Sequence, residues 1–116
     1  MIKLKILCYG IGISSFDITG EIIIVDSENY DFSNYLISCK NKIIVTDVPS
    51  PSIVLLLNEA KGLITRRGGT TCHAATICRE IGKPAIVGAT EILEKIKPNM
   101  IIRAVSENGR GIIYET

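Results

Sequence analysis

The run Gly68-Gly69-Thr70-Thr71-Cys72-His73 combines residue types that could do covalent chemistry. It holds the only histidine among the 116 residues of the chain. Near neutral pH an imidazole is largely uncharged, and its free ring nitrogen can act as a nucleophile. The glycines before it would let a charged group approach the backbone closely. An imidazole in such a run can carry a phosphoryl group.

The segments on either side of this run predict how it is positioned. The apolar residues Gly62 to Thr65 are typical of a short buried strand, and Ala74 to Ile81 have the periodicity of a helix closed by Gly82 and Pro84. A helix N-terminus presents unpaired N–H groups and the positive end of the helix dipole, which favour a phosphate group. We therefore expect a strand, a glycine turn and a helix, with His73 at the start of the helix.

Helical periodicity also predicts which way the histidine faces. The stripe expected to face the core consists of Ala74, Ile77, Cys78 and Ile81. At about 100° per residue, His73 lies roughly a quarter turn from the centre of this stripe. Its ring should be supported on one side and open on the other. The alternative is a histidine that only begins the helix or packs against it, and the glycine-rich loop favours the functional interpretation.

Several neighbouring residues are candidates for binding the phosphoryl group. Gly68 and Gly69 are expected to adopt positive φ and to approach the phosphate, although they could form an ordinary tight turn. We expect Thr70 or Thr71 to cap the helix, and either hydroxyl could instead bond to the ring or to a phosphoryl oxygen. Ser52, in the first turn of the preceding predicted helix, could reach the same pocket or satisfy N–H groups at its own helix start.

Charged residues near the run could offset the charge of a phosphoryl group. Arg66, Arg67 and Arg79 make this part of the chain positive. Arg79 lies on the outer side of the predicted helix, so it could equally be a solvated surface residue. Asp47 is either a partner of a site residue or a turn former, and we leave it outside the catalytic set.

The cysteines suggest a supporting role at the site and no metal centre. The four cysteines contain no C-x-x-C spacing, and one histidine cannot complete a zinc-finger pattern. Cys78 belongs to the core stripe and should be inert. Cys72, at the helix start, could be a nucleophile or redox sensor in its own right. Because adjacent helical side chains point about 100° apart, Cys72 and His73 are poorly placed to form a catalytic pair.

Composition limits the classes of protein to which the chain can belong. A hydrophobic fraction of 47% is ample for one core, and we expect residues 1–116 to form a single domain. The net charge of +1, without a basic stripe, argues against a nucleic-acid partner. The apolar runs are too short to span a bilayer, and the start of the chain lacks the features of a signal peptide. We therefore expect a cytoplasmic protein with no membrane association.

The pattern along the chain predicts an α/β domain without internal repeats. Ser27 to Lys42 is ambiguous and is predicted as a loop with up to one turn of helix. The predicted helices are Pro51–Lys61 (capped by Ser50 and ended by Gly62), His73–Ile81, and Glu91–Ile96 (capped by Thr90). The predicted strands are Ile2–Leu7, Glu21–Asp26, Ile43–Thr46, Leu63–Thr65, Ala85–Val87, Ile101–Val105 and Gly111–Tyr114.

Two stretches resemble a known family, the swivelling phosphohistidine domain of phosphoenolpyruvate-utilising enzymes. They are Gly62-Leu-Ile-Thr-Arg-Arg-Gly-Gly-Thr-Thr-Cys-His-Ala-Ala and Arg79-Glu-Ile-Gly-Lys-Pro-Ala-Ile-Val-Gly88. The family includes phosphoenolpyruvate synthase, pyruvate phosphate dikinase and Enzyme I of the sugar phosphotransferase system, and the Thr-Cys-His-Ala form is most similar to the synthase branch. Weaker similarities near both ends extend the match over nearly the whole chain. Asn99 stands where the family prefers glycine in a turn, and asparagine also tolerates the left-handed conformation.

The resemblance implies a fold, a site and a set of partners. The fold would be the three-layer β/β/α swivelling domain, and His73 would be the phosphoacceptor. Serine is tolerated in place of Cys72, which implies a supporting role for this residue, and a hydroxyl residue matching Ser52 lies near the active histidine of Enzyme I relatives. In such enzymes the histidine domain moves between a nucleotide-binding domain and a barrel that binds phosphoenolpyruvate or pyruvate.

The resemblance also implies that this domain alone binds no cofactor. ATP, phosphoenolpyruvate and magnesium would belong to the partner domains, because the chain contains neither a Walker-type loop nor carboxylates spaced for magnesium. The partners would lie on other chains or in the missing part of a longer protein. The alternative function is a docking subunit that regulates or closes a partner's active site without carrying phosphate.

Overall fold

The computed structural model describes residues 4–26 and 32–116. Within these ranges the chain forms seven strands and four helices. The strands are β1 (Lys5–Gly12), β2 (Phe16–Ile24), β3 (Ile43–Thr46), β4 (Gly62–Thr65), β5 (Ala85–Val87), β6 (Ile101–Glu107) and β7 (Arg110–Glu115). The helices are α1 (Phe32–Ser38), α2 (Pro51–Leu56), α3 (His73–Ile81) and α4 (Ile92–Lys95). None of these helices is long and apolar enough to cross a membrane.

All seven strands join one closed barrel in the order β1-β5-β4-β3-β2-β6-β7. Strands β2, β3, β4 and β5 run parallel, with helices α1, α2 and α3 in the connections between them. The remaining pairs are antiparallel, including the β6–β7 hairpin and the β1–β7 pair that completes the barrel. Because parallel strands share one direction, the carboxyl ends of β3, β4 and β5 meet at the same edge.

Two hydrophobic clusters divide the domain into three layers. The first fills the barrel interior with side chains from both the parallel and the antiparallel strands, and Ile92 of α4 and the following Ile96 add to it. The second lies between α2, α3 and the outer side of the parallel strands. The order across the domain is therefore antiparallel strands, parallel strands and helices.

Strands β3, β4 and β5 are almost continuously apolar because both of their faces are buried. In β3, Ile43 and Val45 point into the barrel, whereas Ile44 packs against the helices. Strand β4 divides in the same way between Ile64 and Leu63. Strands that are covered on both faces lose the alternation of polar and apolar residues that a half-exposed strand shows.

A pair of glycines lets β1 and β7 pack closely against Ile86 of β5 across the barrel. Gly10 of β1 lies opposite Gly111 of β7. The Cγ2 atom of Ile86 in β5 is only 2.5 Å from where a Cβ of residue 10 would lie, and a Cβ at residue 111 would lie 2.8–2.9 Å from three Ile86 carbons. Ile86 therefore occupies space that any side chain at either glycine would need.

Two predicted strands differ from the structure by more than two residues at one end, while β4, β6 and β7 differ by one or two. Strand β1 continues to Gly12, beyond the predicted end at Leu7, while residues 2–3 of that prediction lie outside the described residues. Strand β2 begins at Phe16 and ends at Ile24, not at residues 21–26 as predicted. Pairing explains both differences, because β7 continues along β1 to Ile11, and β6 pairs with β2 from Phe16 onward.

Three helix predictions were also wrong in their bounds. Helix α2 begins after Ser50 at Pro51 as predicted, but it ends at Leu56, and the supposed terminator Gly62 lies in β4. Helix α4 is shorter than predicted, and Glu91 occupies the N-cap position assigned to Thr90. In the ambiguous segment, α1 spans seven residues, more than the single turn expected, and residues 27–31 lie outside the described part.

Candidate functional site

His73 is the first residue of α3 and is exposed. The loop of residues 66–72, called here the 66–72 loop, joins the carboxyl end of β4 to this helix. It lies against the neighbouring strand end, where the carbonyl oxygen of Gly68 is 3.1 Å from a Cβ built at Gly88. The position predicted from the sequence is therefore confirmed: a strand, a glycine turn and an open imidazole at a helix N-terminus.

Cys72, not a threonine, caps α3. Its backbone is extended, and its Sγ accepts a hydrogen bond from the N–H of Ala75 at 3.4 Å. The predicted cap at Thr70 or Thr71 is wrong, because these residues belong to the preceding turn, in which the N–H of Cys72 donates to the carbonyl oxygen of Gly69. Both threonines are exposed. The sulfur therefore satisfies one of the free N–H groups beside His73.

Only one of the two loop glycines has the predicted backbone conformation. Gly68 has φ of 123°, and a Cβ there would lie 3.3 Å from the Sγ of Cys72. Gly69 is not among the residues with positive φ, so that part of the prediction is wrong. A Cβ at Gly69 would meet no described atom within 4 Å. Gly68 thus fixes the turn, while Gly69 leaves open space beside the loop.

The packed face of α3 differs slightly from the predicted stripe. Ala74, Ala75 and Cys78 are buried, and Ile77 packs against the same cluster. Ile81 remains 47% exposed, because it is the last residue of the helix before the chain turns at Gly82. Gly82 adopts the predicted left-handed cap with φ of 72°. The buried alanines bring the first turn of α3 against the parallel strands and so hold its N-terminus at the sheet edge.

Asp47 connects the end of β3 to the 66–72 loop. Its Oδ1 accepts a hydrogen bond from Nε of Arg66 at 2.7 Å and lies 3.4 Å from Nε of Arg67. The hydrogen bond from Arg66 holds the pKa of the Asp47 carboxyl below its usual range, and the positive charge of both arginines adds to this effect. The local charge is therefore partly balanced, which composition alone could not indicate.

Arg79 stabilises the 66–72 loop from the helix side. Its Nη2 donates a hydrogen bond to the carbonyl oxygen of Thr70 at 3.2 Å, although the arginine itself is exposed. The Thr65 hydroxyl donates to the carbonyl oxygen of Arg67 at 2.6 Å. Both ends of the loop are thus fixed by side-chain hydrogen bonds to its backbone.

Three hydroxyl residues lie in or near the connection between β3 and α2. Ser52 is exposed in the first turn of α2, which packs beside α3. Within the described residues, the buried hydroxyls of Thr46 and Ser50 have no hydrogen-bond partner. The sequence analysis assigned no role to Thr46, and the signal that could have done so is its polar side chain at the end of an otherwise apolar strand.

The other cysteines are structural. Cys8, Cys39 and Cys78 are buried, whereas Cys72 is only half-buried. Burial raises the pKa of Cys8 and of Cys78 to about 11. In the described ranges, no group of three or more histidine, cysteine or carboxylate side chains is placed to hold a metal ion.

Proteins of known name are similar to this chain in sequence. The model of the family described as PEP-utilising enzyme, mobile domain, matches residues 38–109. A probable phosphoenolpyruvate synthase of Archaeoglobus fulgidus is 34% identical over 111 residues, which cover 96% of this chain and 14% of the relative. The phosphoenolpyruvate synthase of Escherichia coli is 37% identical over 73 residues, which cover 62% of this chain and 9% of the relative. The chain therefore spans only a small part of the length of these relatives.

Solved structures share the fold at low sequence identity. The solution structure of Enzyme I has a TM-score of 0.53 and 22% identity, covering 64% of this chain and 31% of that one. The three-layer α/β fold predicted from the sequence is confirmed by the family match and this likeness. The chain belongs to the family of mobile domains of PEP-utilising enzymes.

Proposed function

We propose that the domain is a phosphoryl carrier in which His73 is transiently phosphorylated. The observation that carries this proposal is the exposed imidazole on the first residue of α3, at the end of a loop in which Gly69 has open space around it. The helix dipole and free N–H groups favour negative charge at this end of the helix. The family membership supports the same role.

The transfer forms one bond and breaks one bond. A neutral ring nitrogen of His73 attacks the donor phosphorus, the bond from phosphorus to the leaving oxygen breaks, and that oxygen keeps the electron pair. The other ring nitrogen then loses its proton. Gly68, Gly69, Thr70, Thr71, Arg67 and Ser52 are the proposed residues around the phosphoryl group, and Cys72 supports the histidine through the helix cap.

The partners are proposed from the family. One partner would bind a nucleotide, and the other would be a barrel that binds phosphoenolpyruvate or pyruvate with magnesium. Both would align the transferring group and stabilise its charge, because in phosphoryl transfer the catalyst contributes mainly positioning and electrostatics. They could be separate chains or parts of a longer protein.

The first experiment is intact-mass and acid-lability analysis after incubation with the nucleotide-binding and barrel portions of a phosphoenolpyruvate synthase, nucleotide and phosphoenolpyruvate. The chain should gain one acid-labile phosphoryl group, and His73→Ala should gain none. Omitting one partner at a time identifies the donor. The chain alone should turn over neither ATP nor phosphoenolpyruvate at an appreciable rate.

Two results would contradict this function. If the His73→Ala variant still gains the phosphoryl group, another residue is the acceptor. If the folded chain gains no label, while partner activity needs the chain but not His73, the domain is a docking subunit.

A further inference from the structure

Asp47 binds two consecutive arginines with different strength. The hydrogen bond from Arg66 is short, at 2.7 Å, and the Arg66 side chain is only 31% exposed. Arg67 makes no side-chain hydrogen bond to Asp47, and its Nε lies 3.4 Å from Oδ1. The Arg67 side chain is 64% exposed. Since exposed ion pairs are weak, Arg67 is the more easily released of the two arginines.

The backbone keeps both arginines at this position. The N–H of Arg66 donates to the carbonyl oxygen of Thr46, and the N–H of Arg67 donates to that of Asp47. The carbonyl oxygen of Arg67 is held in turn by the Thr65 hydroxyl. With its main chain fixed at both peptide groups, Arg67 can change partners only by moving its side chain.

A phosphoryl group on His73 would compete with Asp47 for Arg67. It would bring a charge of about −1.5 to −2 and three acceptor oxygens to the end of the loop that begins with the arginines. A guanidinium pairs with phosphate in a bidentate arrangement, which is stronger than its single long contact with a carboxylate. Arg66, with its short hydrogen bond, would continue to neutralise Asp47.

We propose that Asp47 is a positioning residue that pairs with Arg67 in the unphosphorylated domain. When His73 is phosphorylated, the Arg67 side chain leaves Asp47 and pairs with the phosphoryl group. This inference rests on the proposed carrier function of His73. The exchange pairs the phosphoryl group with a cation, and it returns Arg67 to Asp47 when the phosphoryl group leaves. The unloaded and loaded domains would thus present different charged surfaces to their partners.

Chemical phosphorylation tests the exchange without any partner protein. Phosphoramidate is the probe: its phosphorus–nitrogen bond breaks, a new bond forms to a ring nitrogen of His73, and ammonia leaves with the proton of the other ring nitrogen. The side-chain Nε–H signals of the arginines are then compared by NMR before and after loading. The Arg67 signal should shift and exchange more slowly with solvent, while the Arg66 signal should stay in place.

Three substitutions distinguish a specific effect of Asp47 on Arg67 from a general effect of losing one negative charge. In the Asp47→Asn variant, Arg67 no longer has a carboxylate partner. Phosphorylation of His73 by phosphoramidate should therefore be about threefold faster than in the parent chain, because an exposed ion pair is weak. In an Arg67→Gln background, the same substitution should change the rate much less. Asp17→Asn is the matched control, because it removes a carboxylate paired with Arg103 at 2.6 Å and makes the same change in net charge.

The outcomes distinguish the exchange from the function on which it rests. Loading with no change at Arg67, or equal rate effects of Asp47→Asn in both backgrounds, overturns the exchange alone. If Asp17→Asn accelerates phosphorylation as much as Asp47→Asn does, the effect comes from net charge alone, and the exchange is also overturned. If folded protein cannot be loaded at His73, the carrier function fails, and the exchange fails with it.

Discussion

At the scale of single residues, the cysteines that cap and occupy α3 show how position decides the role of a thiol. Cys72 lies at the helix start, half-buried, with its sulfur accepting the N–H of Ala75. Cys78 lies six residues further on and is completely buried. Loss of hydration raises the pKa of Cys78 to about 11, and the nearby Cys72 adds to this shift.

Alkylation should therefore distinguish Cys72 from the other three cysteines. With iodoacetamide at mildly alkaline pH, the folded chain should be modified at Cys72, because alkylation needs an accessible thiolate. Cys8, Cys39 and Cys78 are buried and should react only after denaturation. Peptide mass spectrometry gives the order of modification. Modification of Cys78 before Cys72 would show that α3 does not pack as described.

Some features of single residues at the site could be predicted from the sequence, and others could not. The exposed His73 at the start of α3 could be predicted, because a glycine-rich run, a lone histidine and helical periodicity are all local signals. The cap at Cys72 could not, because threonine hydroxyls are the preferred caps and a thiol rarely competes with them. The contacts of Asp47 could not be predicted either, since they join residues 19 and 20 positions apart.

At the scale of elements, the end of helix α3 follows from a local glycine signal, whereas the end of α2 has no such signal in the sequence. Helix α3 ends where predicted, at a left-handed Gly82. Helix α2 stops at Leu56, although the sequence has no breaker there. Beyond Leu56 the chain continues as tight turns, in which the N–H of Glu59 donates to the carbonyl oxygen of Leu56. The N–H of Lys61 then donates to the carbonyl oxygen of Lys42, a contact distant in sequence that leads the chain into β4.

The cap at Gly82 gives a prediction about the stability of this element. Its φ is 72°, and a Cβ there would contact nothing within 4 Å. Gly82→Ala should therefore lower the free energy of unfolding by about 1 kcal/mol through backbone conformation alone. Gly82→Asn should cost less, because asparagine tolerates the left-handed region. Urea unfolding measures both, and equal stability of Gly82→Ala and the parent chain would contradict the assigned cap.

At the scale of the whole molecule, closure of the barrel depends on close contact between strands far apart in sequence. The sequence indicated the strands but not their order, because the contact of Ile86 with Gly10 and Gly111 leaves no local signature. The same is true of the two burial environments of β3, which appear in the sequence only as one apolar run. The family resemblance, not periodicity, supplied the three-layer arrangement.

A double-mutant cycle tests this close contact. Gly111→Ala would place a methyl group within 3 Å of Ile86 carbons and should cost about 1–3 kcal/mol through overpacking. Ile86→Ala alone should cost about 2–5 kcal/mol, because it leaves a cavity. The double variant should lose less stability than the sum of the two, since the added methyl group partly fills that cavity. Strict additivity in urea unfolding would show that the two residues do not touch.

Because His73 is the first residue of α3, the stability of the fold is linked to the free energy of the proposed phosphohistidine. A phosphate at a helix N-terminus is favoured by about 0.3–1 kcal/mol only while the helix exists. By thermodynamic linkage, the loaded domain would be harder to unfold by that amount. The same amount is subtracted from the transfer potential of the phosphohistidine, because stabilising the bound group and weakening it as a donor are one free-energy change. A carrier of this kind would thus give up a small part of its transfer potential for a more stable loaded state.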